Sequence, residues 1–405
     1  MRILKVCRYS LLRSVLTAIT LACFVSWASS KLSAQGVASI QSISSQPFVT
    51  GFTPVIGPNG GVGGVLVNAR GVVGSIERDE GDDLGNRWSE FADVIDDEVL
   101  VESQFRVVSL TRLDRALAER IDSGQKLTPE MVFLAGLQRI EYVFTVPDRN
   151  DVFLAGPGGA WKTNEAGDVI SVKQNRPVLR LEDLLDALRN APIAKDSGFS
   201  CSIEPTDEGM QRYAKLRPQI RSFSRNAVRN IERAVGAQRI LLEGIDGTSH
   251  FAHVMLAADV MMKRLAMGLE TSPVGEMPSY LELLKQHSGG VELTSPRWWM
   301  ATDYEPMLCS PDRLSWKIRG AGVKTMTEDS VLTDSGRRTF SSRQNRFAKQ
   351  WADTMTRRYD QLSSSFPIFG DLRNCFDLAV VGALIASEGL AFRADCDWHV
   401  LMDPS

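Results

Sequence analysis

The stretch Asp246 to Glu270, DGTSHFAHVMLAADVMMKRLAMGLE, holds two of the chain's four histidines and an apolar run that leaves no polar face. Val254, Met255, Leu256, Val260, Met261, Met262, Leu265 and Met267 surround the axis, and a helix of that kind is enclosed by other elements. The fold is therefore expected to be packed round this helix. Its polar residues divide into two sets. At about 100° per residue, His250 and His253 lie about 60° apart, while Asp259 and Lys263 lie about 180° and 220° round from His250. One site cannot use all four from this helix alone. Asp259 and Lys263 have the i,i+4 spacing of an ion pair, and a charge among apolar neighbours is kept when it is paired.

The helix start is where catalysis would be sought. GTSHF, Gly247 to Phe251, follows the strand-like QRILLEGI and opens a helix, which is the setting of a G-x-S-x-G nucleophile elbow. Phe251 stands where the final glycine belongs, and close strand-to-helix approach tolerates only small residues there. Ser249, or Thr248, is read instead as the cap of the helix, accepting a backbone N–H. The H-x-x-H pair lacks a third ligand and an HExxH-type base, so no metal and no cofactor are expected. Ser249, His250, His253, Asp259 and Lys263 stay the catalytic candidates for a hydrolase, the alternative to a noncatalytic protein.

The chain's beginning reads as an export signal. Arg2, Lys5, Arg8 and Arg13 precede the 13-residue apolar run Val15 to Trp27, and small residues follow in ASSKLSAQ. Cleavage after Ser30 or after Ala34 both fit, and a lipid-anchored reading of TLAC at Cys23 is the weaker alternative. Residues 1–34 are taken as signal. The whole chain has 46 basic and 49 acidic residues; without the signal it has 41 against 49, a net charge of −8. No basic stripe is left to neutralise a phosphate backbone, so nucleic acid is not an expected partner. No later segment is expected to span a membrane once the signal is gone. The longest apolar run, CFDLAVVGALIASEGLAF, contains Asp377 and Glu388 and reads as a buried helix. The protein is expected in the periplasm or outside the cell.

Four cysteines lie beyond the signal: Cys201, Cys309, Cys375 and Cys396. An even number in an oxidising compartment invites disulfides, and Cys375 with Cys396 is a local pairing that leaves Cys201 with Cys309. Buried free thiols are the other reading, because a chain this long does not need staples. The wide spacing, with no C-x-x-C, excludes the common zinc and redox motifs.

The expected fold class is α+β, as two small mixed domains after the signal and a Gly/Ser-rich lead-in. The lead-in covers 35–86 and holds one hairpin, GVLVNARGVVGSI, turning at Asn68 to Gly71. Its glycines make no phosphate loop, since Leu66 replaces the third glycine of a G-x-G-x-x-G. The N-terminal domain, 87–196, reads helix (SLTRLDRALAERIDSG), helix (from Thr128 and Pro129), two strands around DRND, then the helix PVLRLEDLLDALRNA. The C-terminal domain, 197–405, reads CSIEP as a strand, TDEGMQRYAKL and SFSRNAVRNIERAVG as helices, and QRILLEGI as a buried strand. The apolar helix follows, then antiparallel strands from Arg297 onward and closing helices, the first near Arg343 to Leu362.

LAGLQRIEYVFTVPDRNDVFLAGPGGAW, RPVLRLEDLLDALR, CSIEPT, AADVMMKRLAMGLE and the tryptophan pair after Arg297 together resemble a family of exported planctomycete proteins. That family is catalogued only as a domain of unknown function, number 1598 in its series. The resemblance implies a bacterial, extracytoplasmic protein with no assigned activity, and it carries over no catalytic residue.

Arg297, Trp298 and Trp299 are the binding candidates. Adjacent tryptophans on a strand point to opposite faces, so one packs inside. An exposed one beside an arginine can stack on a sugar ring, which suits an envelope or carbohydrate partner. The leading expectation is an exported, noncatalytic binding or structural protein. The oligomeric state is open.

Overall fold

A computed structural model describes residues 64–81, 83, 84, 86, 87, 101–196, 198–216, 219, 230, 233–286, 295–332, 338–340 and 345–403. The signal, the lead-in as far as residue 63 and most of SFSRNAVRNIERAVG lie outside the described residues.

The described chain starts with β1 (Gly64–Val67), α1 (Ala69–Val73) and β2 (Ile76–Arg78). β3 (Ser103–Ser109) runs straight into α2 (Leu110–Asp122), and α3 (Pro129–Val132) is a single turn capped by Thr128. β4 (Tyr142–Val146), β5 (Asp151–Gly158), β6 (Trp161–Thr163) and β7 (Val169–Ser171) follow. Then come α4 (Leu181–Arg189), α5 (Ala191–Asp196), β8 (Phe199–Pro205) and α6 (Asp207–Leu216). β9 (Gln238–Glu243) leads to α7 (His250–Ala266), the apolar helix, and α8 (Tyr280–Gln286). β10 (Ser295–Asp303), β11 (Met307–Cys309), β12 (Ser315–Lys317), β13 (Gly322–Leu332) and β14 (Arg338–Phe340) complete the strands. The chain closes with α9 (Arg346–Arg357), α10 (Tyr359–Ser365), α11 (Pro367–Glu388) and α12 (Leu390–Arg393).

The class is α+β. One sheet has the order β14-β13-β10-β1-β8-β9, the other β2-β11-β12-β4-β5-β3, and β6 pairs with β7 apart from both. Among the described strands only β1–β10 and β2–β11 pair in parallel. The boundary expected at 196/197 does not separate the sheets. β4 pairs with β12 and β1 pairs with β8, and one core cluster runs from Val65 to Leu401.

The hairpin expected in the lead-in does not form. The Asn68 side chain accepts from the Gly71 N–H and caps α1, so the chain turns through a helix. β1 then lies between β8 and β10, while β2 pairs with β11 in the other sheet. Gly64 permits this insertion. Its φ is +143°, and a Cβ there would stand 1.8 Å from the Cys201 carbonyl oxygen. β9, expected as a buried strand, is an edge strand with Ile240 and Leu241 exposed.

α11 lies at the centre of the packing. Proline opens it, Gly389 ends it at φ +61°, and from Leu372 to Ile385 every residue is buried. Burying side chains such as Phe376, Leu378 and Leu384 contributes roughly 1.5–3 kcal/mol each. α4 comes close enough that a Cβ on Gly382 would stand 2.4 Å from the Ala187 carbonyl oxygen. No described helix is long and apolar enough to cross a membrane.

The expected disulfides are corrected: Cys201, Cys309, Cys375 and Cys396 are all free. Cys375 lies 13 residues before the end of α11, a rise of roughly 20 Å, so Cys396 beyond that end is carried away from it. The Cys396 thiol faces the Asn150 carbonyl, and that of Cys309 the Ser310 carbonyl. Burial pushes the thiols of Cys201 to about 12 and of Cys309 and Cys396 to about 11, leaving them protonated at neutral pH. Protein lacking the signal should release four alkylatable thiols on denaturation without reductant, and react slowly when native. Two thiols or none on denaturation would restore the bridges.

Candidate functional site

The start of α7 is taken up by local structure. The Ser249 Oγ accepts from the Ala252 N–H at 3.1 Å and donates to the Asp246 carbonyl at 2.8 Å, so this residue is the cap. Thr248 turns to Asp246, donating from its N–H at 2.7 Å and its hydroxyl at 2.6 Å to one carboxylate oxygen. Phe251 is fully buried and meets Phe199 edge-on at 5.4 Å between centroids. His253 is exposed, and its Nδ1 donates to the Ser249 carbonyl at 2.7 Å.

His250 has a different setting. Its Nδ1 is 3.0 Å from both carboxylate oxygens of the buried Asp183, on α4. Burial alone would lower the imidazole pKa, but the hydrogen bond and charge of Asp183 outweigh it and leave the pKa raised. Three further charged groups act on this pair or on its neighbours: Arg180 just before α4, Asp186 of α4 and Asp371 of α11. Burial, reinforced by Asp183, lifts the Asp186 carboxyl to about 6, against the pull of the Ser249 hydroxyl. Burial lifts Asp371 to about 7, with Asp183 and Asp168 adding to it and Arg180 and His250 opposing. Asp371 is half-buried and at the first turns of α11, and the close packing at Gly382 brings α4 against that helix.

The other pair is separate, as the helical spacing requires. Lys263 Nζ donates to Asp259 Oδ2 at 2.7 Å, and Asp259 is fully buried. Among the described residues its Oδ1 has no hydrogen-bond partner, and burial raises its pKa against the pull of Lys263. This is a buried structural pair next to the Cys201 thiol.

Of the binding candidates, Trp298 is the inward tryptophan. It packs edge-on between Tyr280 at 5.1 Å and Trp351 at 5.4 Å. Arg297 is also buried, and only Trp299 keeps part of its surface, so the three do not form an exposed stacking platform. Among the described residues, no group of three or more His, Cys, Asp and Glu side chains is placed to hold a metal ion.

Asp183, Asp186 and Asp371 are site residues that the sequence did not single out. In LRLEDLLDALR, Asp183 and Asp186 are three apart and share a helix face, beside leucines that must be buried. That spacing is the signal that was there; Asp371 offers none.

The family model described as protein of unknown function (DUF1598) matches residues 201–280. The match takes in CSIEPT and AADVMMKRLAMGLE, and with them the helix start just described. The other stretches quoted for the resemblance lie outside it. No curated protein matches the chain, and no solved structure does.

Asp371, Asp186 and His250 hold their protons more tightly folded than unfolded. For Asp371 and Asp186 this contribution to stability is therefore full below the unfolded carboxyl value of 3.8 and is lost as pH rises to about 6 to 7; that of His250 is full below its unfolded value of 6.5 and is lost above it. The urea midpoint should fall between about pH 4 and 7, and Asp371→Asn should flatten that slope. An unchanged slope in the variant would contradict this environment for Asp371.

Proposed function

We propose that this is an exported, noncatalytic protein that acts by binding. The observation that carries this reading is how the candidate groups are used. Ser249 caps a helix and donates to a backbone carbonyl; Asp259 and Lys263 neutralise each other inside the core; Arg297 and Trp298 are packed away. The Ser249 hydroxyl is committed to a turn, and among the described residues no imidazole nitrogen is hydrogen-bonded to it, so the serine–imidazole arrangement that activates such a nucleophile is not formed. Export is supported by the order of charged, apolar and small residues in 1–34.

A second reading has one observation in its favour. The His250 imidazole is held by the Asp183 carboxylate at 3.0 Å and feels the charge of Asp371, and the pair would serve a hydrolase as general acid and base.

One screen separates them. Protein lacking residues 1–34 is assayed against p-nitrophenyl esters, phosphates and glycosides beside its His250→Gln and Asp371→Asn variants. The binding reading expects no turnover above the buffer rate for any of the three proteins. Turnover by the parent that drops at least tenfold in either variant would establish the second reading instead.

A further inference from the structure

We propose that the groove along the first turns of α2 binds a single-chain anionic amphiphile, an apolar tail carrying a carboxylate or phosphate head. This deepens the binding reading above and rests on it. Two open cavities meet here. One, of about 430 Å³, is lined chiefly by apolar side chains, among them Val107, Leu113, Met131, Leu134 and Phe153. The other, of about 310 Å³, is lined by Arg112, Arg115 and Arg149 with Thr111, Asp151 and Phe153. Arg112 and Phe153 line both, so the two lobes adjoin at shared side chains. Their volumes fall in the range of small-molecule sites, roughly 300–1,000 Å³.

The charges are placed against local stability. α2 has no acid in its first turn, where the helix dipole favours one. It has arginine at its third and sixth positions instead, one face apart at i,i+3, with Arg149 lining the same lobe. Arg112 and Arg115 are exposed, and among the described residues neither side chain has an ion pair or hydrogen bond. Asp151 lines the same lobe but is committed: it accepts from the Ser109 hydroxyl and from the Thr111 N–H at 3.0 Å. Arg112, Arg115 and Arg149 outnumber the carboxylates of Asp151 and Glu130 that line the two lobes, so in a chain of net negative charge the groove keeps an excess of positive charge.

The apolar lobe is held open by an unusual backbone. Leu134, Ala135 and Gly136 are all left-handed, at φ 44°, 54° and 71°. Only glycine takes that conformation without strain, and strain of this kind collects at ligand clamps. Gly136 is required there, since a Cβ would stand 2.1 Å from the Gly159 carbonyl oxygen. The turn ends α3 after one turn and sets Leu134 and Ala135 along the lobe.

Calorimetric titration of protein lacking residues 1–34 tests this with four probes below their micellar concentrations. Dodecanoate and dodecyl phosphate are expected to bind saturably at one site and raise Tm, and their relative affinities show which head is preferred. Acetate, which lacks the tail, and dodecyl maltoside, which lacks the charge, are expected to bind at least tenfold more weakly. The double variant Arg112→Gln/Arg115→Gln should lose at least tenfold in affinity for the charged amphiphiles. Its free form should melt no lower than the parent, because the like charges are gone. Equal binding of dodecyl maltoside, undiminished binding by the double variant, or a fall in Tm on adding either anion overturns the proposal. None of those outcomes bears on the turnover screen, so the two readings fail separately.

Discussion

Asp377 lies in the middle of α11 with no exposed side-chain surface, and three partners converge on it. Arg139 donates to both carboxylate oxygens at 3.0 Å, the Tyr304 hydroxyl donates at 2.7 Å, and the Ile140 N–H reaches it at 3.4 Å. Arg139 and Ile140 come just before β4 in one sheet, and Tyr304 just after β10 in the other. A carboxylate can be kept in an apolar helix only if its hydrogen bonds and charge are met there. Meeting them obliges both sheets to approach the same turn of α11. Burial raises the Tyr304 phenol well above its usual value, and the Asp377 charge adds to it, so the tyrosine stays a donor.

With α11 fixed in this way, α4 and α7 have defined places on it. Gly382 sets how closely α4 approaches, and α7 packs against α11, α4 and the first sheet. The polar interior is accordingly mostly joinery: Asp377 with Arg139, Asp259 with Lys263, and Asp114, which accepts from the His399 and Leu401 N–H groups and ties down the chain's last turn. The exposed arginines of α2 are different in kind, since among the described residues no structural partner accounts for Arg112 or Arg115. On that contrast rests the proposal of binding at a surface groove rather than catalysis at the start of α7.

Local signals were the legible ones. The enclosed helix at α7, the buried helix at α11, the caps at Thr128, Thr206 and Ser249, and the β4–β5 hairpin all follow from patterns within about a dozen residues. The opposed placement of His250 and Lys263 followed from helical geometry alone. The failures have a common cause in partners distant along the chain. GVLV is four apolar residues, too short for periodicity to show that it belongs between two strands from elsewhere in the chain. Arg139 and Asp377 are 238 residues apart, and nothing near either one announces the other. The cysteine pairing failed for the same reason, since proximity in sequence across a helix end is not proximity in space.

The central claim is that the Arg139–Asp377 contact joins the sheets to the central helix. A double-mutant cycle of Arg139→Met and Asp377→Asn, read by urea unfolding, tests it most directly. Each single substitution is expected to cost about 3–5 kcal/mol, because each leaves a buried group unmatched. The double variant should cost less than their sum by about 2 kcal/mol or more. Costs that add within about 0.5 kcal/mol would mean the two side chains do not act as one joint, and would contradict the account.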